Sequence, residues 1–306
     1  MAVAQTEEQH PKAGGLDLLG PEAVLSILAD AQAEAARAVT SAIPQIAKAA
    51  ELAASALKAG GRIGYAAAGS SGLMAMADAL ELPGTYGIGR ERIAIMLAGG
   101  QAALYDLAGS PEDDTAQAVR DFAEAGLVRG DCLIALSASG STPYAIAALE
   151  EARRAGLSTV AIANNADTPI LKHADAPIVL ATPPEVIAGS TRMGAGTAQK
   201  IALNMLSTLM AVHLGHVHDG YMVNVLADNI KLKRRASSIV AAVSGCSAEA
   251  AARFLEQSGG AVKPAILLAA GSRDAAAAND LLQRTGYRLR PALTELEGSL
   301  GSQKRT

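Results

Sequence analysis

Short apolar segments that alternate with helical segments constrain the fold of this chain more than any other feature. The predicted strands cover residues 63–68, 92–97, 158–165 and 176–183, and a further strand begins at Asp131 and runs into a serine-rich turn. A helical segment at 73–82 follows the first strand, and helical segments at 113–126 and 143–156 separate the second, third and fourth strands. This alternation predicts βαβ units, and therefore a parallel sheet covered by helices on both faces. Ligands of such α/β sheets bind beyond the carboxyl ends of the strands.

Helical segments flank the predicted sheet on both sides. A polar lead-in covers residues 1–15, and residues 21–57 predict two helices that meet at Pro44. The chain is again predicted to be helical from Ala195 to about Val243, and three short helices follow. We therefore predict an N-terminal helical segment packing on the core (1–57), a sheet domain (58–243) and a small three-helix C-terminal module (244–306).

Composition excludes several classes of protein. The net charge is −4, so the sequence lacks the basic character typical of nucleic-acid binding, and we expect the local cluster at 231–235 to be a solvated helix face or end. Cys132 and Cys246 have no CxxC spacing, which excludes a disulfide scaffold and favours a reducing compartment. No signal peptide and no apolar stretch of the ~18 residues of a membrane span are recognised. These features predict a soluble, cytoplasmic protein that binds neither nucleic acid nor membrane.

Hydroxyl side chains cluster where predicted strands give way to helices. GSSG (69–72) follows the first strand, SASGST (137–142) follows the third, and GST (189–191) precedes a long helix. Backbone N–H groups at a helix start, together with hydroxyls, suit a phosphate. The predicted substrate contacts in these turns are Ser70, Ser71, Ser137, Ser139, Ser141, Thr142, Ser190 and Thr191. The structural alternative for each of them is an ordinary helix N-cap.

Neither of the first two turns carries a nucleotide-binding motif. GxxxxGK[ST] and GxGxxG are both absent from them, so dinucleotide binding is not indicated. One hydroxyl turn alone would favour the N-cap interpretation. Two such turns at consecutive strand ends, with a third beside them, favour a shared phosphate site.

Three motifs together resemble one known family. GSSG, SASGSTPY and GSTRMGAGTAQKIALNMLSTLM resemble the sugar-isomerase (SIS) phosphosugar-binding family, and within it the N-acetylmuramic acid 6-phosphate etherases. TEEQHPKAGGLD, ADALELPGTYG and AGGQAALYDLAGSPEDD fit the same family. The resemblance runs from about Thr6 into the C-terminal module. It implies a doubly wound five-stranded parallel sheet, and homodimers with active sites near the subunit interface.

The resemblance also implies a reaction and two catalytic groups. The family removes D-lactate from the C3 ether of N-acetylmuramic acid 6-phosphate without a metal or organic cofactor, giving N-acetylglucosamine 6-phosphate. Its two glutamates correspond to Glu81, as the acid that protonates the departing lactate, and Glu112, as the base at C2. Glu81 lies in an apolar segment, where desolvation would raise its pKa and suit an acid. Without the resemblance, Glu112 would be interpreted as part of an acidic helix N-terminus.

Several positions depart from the family pattern. Leu73 and Ser141 stand where the family usually has arginine, Gly194 where it has lysine, and Gly109 where it has an acid. Two alternative functions follow. A non-catalytic phosphosugar-binding regulator would tolerate these changes but would not need both glutamates. An aldose–ketose sugar-phosphate isomerase shares proton removal at C2 but releases no lactate, and GSTRxxAGTAQK is not typical of it.

Two further features have open interpretations. Glu185 precedes the third hydroxyl turn and is predicted either to contact a sugar hydroxyl or to form a cap or an ion pair between subunits. HLGHVH (213–218) places His213 and His216 on one predicted helix face, where a metal site is conceivable. No acid or cysteine motif completes such a site, so we expect the histidines to lie at the negative end of a helix.

Overall fold

The computed structural model describes residues 5–227 and 229–303. The chain divides into two compact units, residues 5–80 with 90–209, and residues 81–89 with 210–303 apart from residue 228. Residues 1–4 of the predicted lead-in and residues 304–306 of the predicted C-terminal module lie outside the described residues.

The first unit contains a five-stranded sheet in which every pairing is parallel. The strands are β1 (Ile63–Ala67), β2 (Ile93–Leu97), β3 (Cys132–Ser137), β4 (Ser158–Ala163) and β5 (Ala176–Val179). Their order is β2-β1-β3-β4-β5, and Ile63 pairs with Ile93 on one side and with Cys132 on the other. The α/β doubly wound fold is therefore confirmed. The connection direction reverses at β1, which places the topological switch point between the carboxyl ends of β1 and β3.

Helices cover the sheet as the alternation predicts. They are α1 (Pro21–Ala38), α2 (Ile43–Lys58), α3 (Gly69–Tyr86), α4 (Thr115–Ala125), α5 (Pro143–Ala155) and α6 (Gly194–His213). Pro44 occupies the first turn of α2, so the predicted boundary between the first two helices is confirmed. α2 buries Ala49, Ala50 and Ala53 completely and packs against β4 and β5. These small side chains let the helix lie close to the strands.

The prediction of continuous helix from Ala195 to Val243 is wrong. α6 ends at His213, and a two-stranded hairpin follows, β6 (Val217–His218) with β7 (Tyr221–Met222), before α7 (Ile230–Ser244) begins. Gly215 and Gly220 have φ angles of +71° and +79°. This left-handed backbone ends the helix and turns the hairpin, and glycine adopts it without steric cost.

The C-terminal helices share one core with α7. The three predicted helices are present as α8 (Ala248–Gln257), α9 (Val262–Ala269) and α10 (Ala275–Arg284), and α11 (Leu289–Gln303) was not predicted. Ile239 and Val240 of α7 pack into the same apolar cluster as Ile266 and Leu282. The longer segment of the second unit begins at residue 210, upstream of the predicted module boundary at 244.

No single helix in the described ranges is long and apolar enough to cross a membrane. The pair α7 and α8 reaches the length and hydropathy of a membrane span only when the two helices are taken as one segment, and they are bent by 109° relative to each other.

Candidate active site

The first hydroxyl turn lies at the switch point of the sheet. Gly69 begins α3 two residues after Ala67, the last residue of β1, and has a φ of +54°. Ser70 is half-buried and Ser71 is buried, in the first turn of the helix. The N–H groups of a helix start point toward any anion that binds there. Both serines lie in this first turn, and their contact with a phosphate stays a prediction.

Glu112 lies directly against this helix start. A Cβ atom at Gly69 would be 2.6 Å from Glu112 Oε1, so only glycine leaves room for the carboxylate. Glu112 belongs to a short 3-10 turn, Ser110–Asp113, that precedes α4. The sequence motif had not indicated that this turn reaches the end of β1.

The alternative interpretation places Glu112 in an acidic helix N-terminus, but Asp114 is the residue that caps the helix. Asp114 caps α4, because its Oδ1 accepts a hydrogen bond of 2.7 Å from Gln117 N. Glu112 has a different environment: burial, and then the charge of Asp113, raise the pKa of its carboxyl. Its half-buried carboxylate is therefore free of the capping role and faces the switch point.

Glu81 lies in the second unit, near the C-terminal end of α3. Its side chain is exposed, whereas the neighbouring Leu82 and Pro83 are buried. Leu82 and Pro83 face a different direction from Glu81, because successive helix positions do. Leu80, on its other side, is itself 50% exposed. The predicted desolvation of Glu81 is therefore wrong for the single chain. Its pairing with Glu112, in the first unit, stays a prediction.

The second hydroxyl turn is held together by its own side chains. Ser137 Oγ lies 2.8 Å from Thr142 Oγ1 and accepts a hydrogen bond of 2.9 Å from Gly140 N. Ser139 Oγ accepts from both the backbone N (3.2 Å) and the hydroxyl (3.0 Å) of Ser141. Ser137 is buried, whereas Ser141 is exposed and Ser139 and Thr142 are half-buried. Ser137 therefore stabilises the turn, and the other three hydroxyls are open to a ligand.

The third turn leads into α6, whose start is occupied by Glu185. Glu185 Oε2 accepts from Gly194 N at 2.9 Å, and Oε1 accepts from Ala195 N at 2.8 Å. The residue is 5% exposed. The carboxylate thus takes the place that an anion would otherwise occupy at this helix end. Of the roles predicted for Glu185, the geometry supports the cap, and the contact with a sugar hydroxyl stays a prediction.

Replacing Glu185 with Ala should lower the free energy of unfolding by about 2 kcal/mol, because two buried N–H groups lose their acceptors. Urea unfolding followed by circular dichroism measures the change. Glu185→Gln keeps one acceptor oxygen, so its free energy of unfolding should fall by less. If Glu185→Ala instead keeps its stability but raises KM for a sugar phosphate, Glu185 is a ligand contact.

Ser190 and Thr191 precede this helix start and are half-buried. Gly189 N donates to Thr6 O at 3.1 Å, so the N-terminal segment supports the turn. The departure at Gly194 has a local reason: a Cβ atom there would lie 3.1 Å from both Ala35 Cβ and Glu185 Oε2. A longer side chain at position 194 would disturb the cap.

Buried amides lie behind this turn. Gln199 is fully buried, and its Nε2 donates to Asn164 Oδ1 at 3.0 Å. Asn164 Nδ2 in turn donates to Leu180 O and Thr182 Oγ1, each at 3.3 Å. Gln199 therefore links the start of α6 to the ends of β4 and β5, which is a structural role.

A buried carboxyl that the sequence analysis missed lies in the first unit. Asp78 of α3 accepts from Tyr65 Oη at 2.9 Å, from Ser207 Oγ at 2.8 Å and from Asn204 Nδ2 at 3.0 Å. Burial raises the pKa of Asp78, and these hydrogen bonds oppose the rise. An acid inside the apolar segment LMAMADALEL was the available signal. Asp78 joins β1, α3 and α6.

The histidines of HLGHVH do not share one helix. His213 is the last residue of α6, and His218 lies in β6. Among the described residues, no group of three His, Cys, Asp or Glu side chains is arranged to hold a metal ion. Burial and then the charge of Lys263 lower the pKa of His216 to about 4, so this histidine is neutral at pH 7.

Comparison with known proteins agrees with the motifs of the three turns. Two family models for the SIS domain match residues 27–164 and 124–214. An N-acetylmuramic acid 6-phosphate etherase from Deinococcus radiodurans is 42% identical over 293 residues, which cover 96% of this chain and 96% of that protein.

The chain belongs to the N-acetylmuramic acid 6-phosphate etherase family. Further etherases of this family, from Symbiobacterium thermophilum and Yersinia pestis, are each 43% identical to it. The first match covers 86% of this chain and 87% of that protein, and the second covers 94% and 98%. The resemblance seen in the sequence motifs is therefore confirmed. Because the etherase matches extend over most of the chain, family membership includes both units.

Proposed function

We propose that this protein is a carbon–oxygen lyase that acts on N-acetylmuramic acid 6-phosphate. It cleaves the C3 D-lactyl ether and yields N-acetylglucosamine 6-phosphate and D-lactate, a step in the recycling of cell-wall sugars. The observation that carries the proposal is the half-buried carboxylate of Glu112 at the start of α3, beside the hydroxyl turns of the switch point. Relatives named for this activity, at about 42% identity over nearly the whole chain, support it.

The reaction needs one base and one acid. In the ring-opened sugar, the C1 aldehyde acidifies the proton on C2, and a carboxylate removes it. The C3–O bond then breaks, the lactyl oxygen takes a proton from the acid, and a C2–C3 double bond conjugated with the aldehyde remains. Water adds its hydroxyl to C3, and a proton returns to C2. Each proton transfer is worth about 10²–10⁴-fold in rate.

Glu112 suits the base. Its raised pKa brings the carboxylate closer to the working pH and strengthens it as a base. The rate should therefore fall on the acid side as Glu112 becomes protonated, at a higher pH than for an ordinary glutamate.

Glu81 is the proposed acid, and we infer that it works in a homodimer. Its side chain is exposed, so the apolar surroundings that suit an acid are ones that the single chain does not supply. A partner subunit that covers the C-terminal end of α3 would provide them. Sedimentation of the active species would test the dimer, and a fully active monomer would contradict it.

The phosphate is proposed to bind at the start of α3, where Ser70 and Ser71 lie. The exposed and half-buried hydroxyls of the other turns complete the sugar site: Ser139, Ser141, Thr142, Ser190 and Thr191. Ser137 acts indirectly, by holding the second turn in shape. We expect no metal or organic cofactor in this site, and the cytoplasm is the proposed location.

Incubation with N-acetylmuramic acid 6-phosphate and an enzymatic assay of D-lactate test the function. Stoichiometric lactate and N-acetylglucosamine 6-phosphate are expected. Thermal stabilisation by the sugar phosphate without lactate would instead identify a binding regulator, an outcome that Leu73 and Ser141 favour. Conversion of an aldose phosphate to a ketose phosphate would identify an isomerase.

Gly69→Ala should lower kcat for lactate release by about tenfold to a hundredfold. The added Cβ atom would lie 2.6 Å from Glu112 Oε1, and the residue has a φ of +54°, so the carboxylate and the helix start must both move. Gly109→Ala is the matched control, because nothing lies within 4 Å of its Cβ position. Equal kcat values for the two variants would show that the position of Glu112 is unimportant.

A further inference from the structure

The second unit contains a cavity that the proposed reaction does not use. It measures about 830 Å³, within the size range of pockets that bind small molecules. Its walls come from α7, α8, α9 and α10 and from residues 223–227. Most of the lining is apolar, including Val225, Leu255 and Leu282, so the cavity is suited to a hydrocarbon or aromatic group.

A buried cation lies in the wall of this cavity. Lys263 of α9 is 4% exposed, and its Nζ donates to the carbonyl of Tyr287 at 3.0 Å. An ammonium group carries three donors, and among the described residues Lys263 forms no ion pair. A buried charge without a counter-ion is unfavourable, and burial accordingly lowers the pKa of Lys263 to about 8. An anion in the cavity would relieve this cost.

The remaining polar groups of the lining agree with an anionic ligand. Lys233 of α7 is exposed and adds a second positive charge, while Asn224, Ser237 and Asn279 offer neutral hydrogen-bonding groups. Glu256 is the acidic residue among the described lining residues, and it is exposed. The buried charged residue of the lining is therefore the cation Lys263, whereas the acid Glu256 is exposed.

We propose that this cavity is a binding site for a small amphipathic carboxylate, whose anionic group pairs with Lys263 and whose apolar body fills the space between the helices. A sugar phosphate fits less well, because its many hydroxyls would lose hydrogen bonds to water against apolar walls. The lining includes none of the residues proposed for the sugar site, and the proposal does not depend on the reaction catalysed there.

Octanoate is the probe, with 1-octanol as its neutral counterpart, and saturation-transfer NMR titration of the full-length protein is the measurement. Octanoate should bind saturably with a Kd on the order of 1 mM or below. Octanol should bind at least about tenfold more weakly, since it cannot pair with the ammonium group. The affinity for octanoate should fall as the pH rises above about 8, because Lys263 then loses its charge.

Lys263→Met keeps the length of the side chain and removes the charge. This substitution should weaken the binding of octanoate at least about tenfold and abolish the pH dependence of that binding. Ala252→Trp adds bulk to the wall from an exposed position on α8, so it should block binding without disturbing the core. Ala248→Trp, also exposed on α8 but outside the lining, is its control.

The absence of saturable binding, or equal affinity in wild type and Lys263→Met, would overturn the proposal. If Lys263→Met does not fold, Ala252→Trp decides. If Ala252→Trp loses binding and Ala248→Trp keeps it, the site is supported. If both variants bind octanoate, the ligand lies elsewhere and the proposal is overturned.

Discussion

Glu112→Gln is expected to reduce D-lactate release by about 10³-fold or more and to stop exchange of the C2 hydrogen with solvent. An amide cannot accept the C2 proton, and a general base contributes about 10²–10⁴-fold. Because glutamine has nearly the same shape, substrate affinity should change little. Incubation in deuterium oxide followed by mass spectrometry of the recovered substrate measures the exchange, and a coupled assay measures lactate.

Glu81→Gln provides the comparison that separates the two roles. If Glu81 is the acid, this variant should also lose lactate release, while exchange at C2 continues, because the base acts before the acid. Exchange that survives in Glu112→Gln and disappears in Glu81→Gln would reverse the two assignments. Loss of neither activity in either variant would remove both glutamates from the mechanism.

Asp113→Asn is the matched control for the environment of Glu112. It leaves the Glu112 carboxylate in place but removes the neighbouring charge, which is the second cause of its raised pKa. The acid limb of the pH–rate profile should therefore move to lower pH, with the maximal rate largely retained. An unchanged profile would show that a group other than Glu112 controls the acid limb.

Asp78→Ala is expected to give the largest loss of stability, about 3–5 kcal/mol in the free energy of unfolding. The substitution removes the acceptor of three hydrogen bonds, from Tyr65, Ser207 and Asn204. Tyr65 is fully buried, so its hydroxyl would be left without a partner. Urea unfolding followed by circular dichroism measures the loss.

Asp78→Asn is the conservative control, because its amide can still bond to the same three groups. The comparison should depend on pH. Burial raises the pKa of Asp78 in the folded state, so the folded protein holds this proton more tightly than the unfolded chain. The extra stability of wild type over Asp78→Asn should be complete below the ordinary pKa of aspartate. It should decline as the pH rises through the raised pKa of Asp78. Equal stability of wild type and Asp78→Ala would contradict the proposed structural role.

The sheet and the family were accessible from sequence because their signals are local. Buried parallel strands are continuous apolar segments, and such segments alternating with helices predicted the parallel sheet that is observed. The hydroxyl turns and the GSTRMGAGTAQK segment were recognisable for the same reason, since each motif lies within one stretch of chain.

Element boundaries in the second half were less accessible. The hairpin of β6 and β7 has two residues in each strand, which is too short to show periodicity. Helical propensity therefore predicted a helix through the hairpin, although Gly215 and Gly220 have positive φ angles that interrupt a helix there. The packing of α7 with the C-terminal helices was also not accessible, because its apolar face does not reveal from sequence which helices it will meet.

By itself, the sequence determined the parallel α/β sheet, the three hydroxyl turns and the family of the protein. Tertiary structure decided which polar side chains serve the fold and which are left for a ligand. Glu185 caps α6, Ser137 closes its own turn and Asp78 bonds to Asn204, which is 126 residues away, whereas Glu112 reaches the start of α3. A carboxylate looks the same in every sequence, and its role depends on which N–H groups, hydroxyls and apolar walls folding brings within a few ångströms of it.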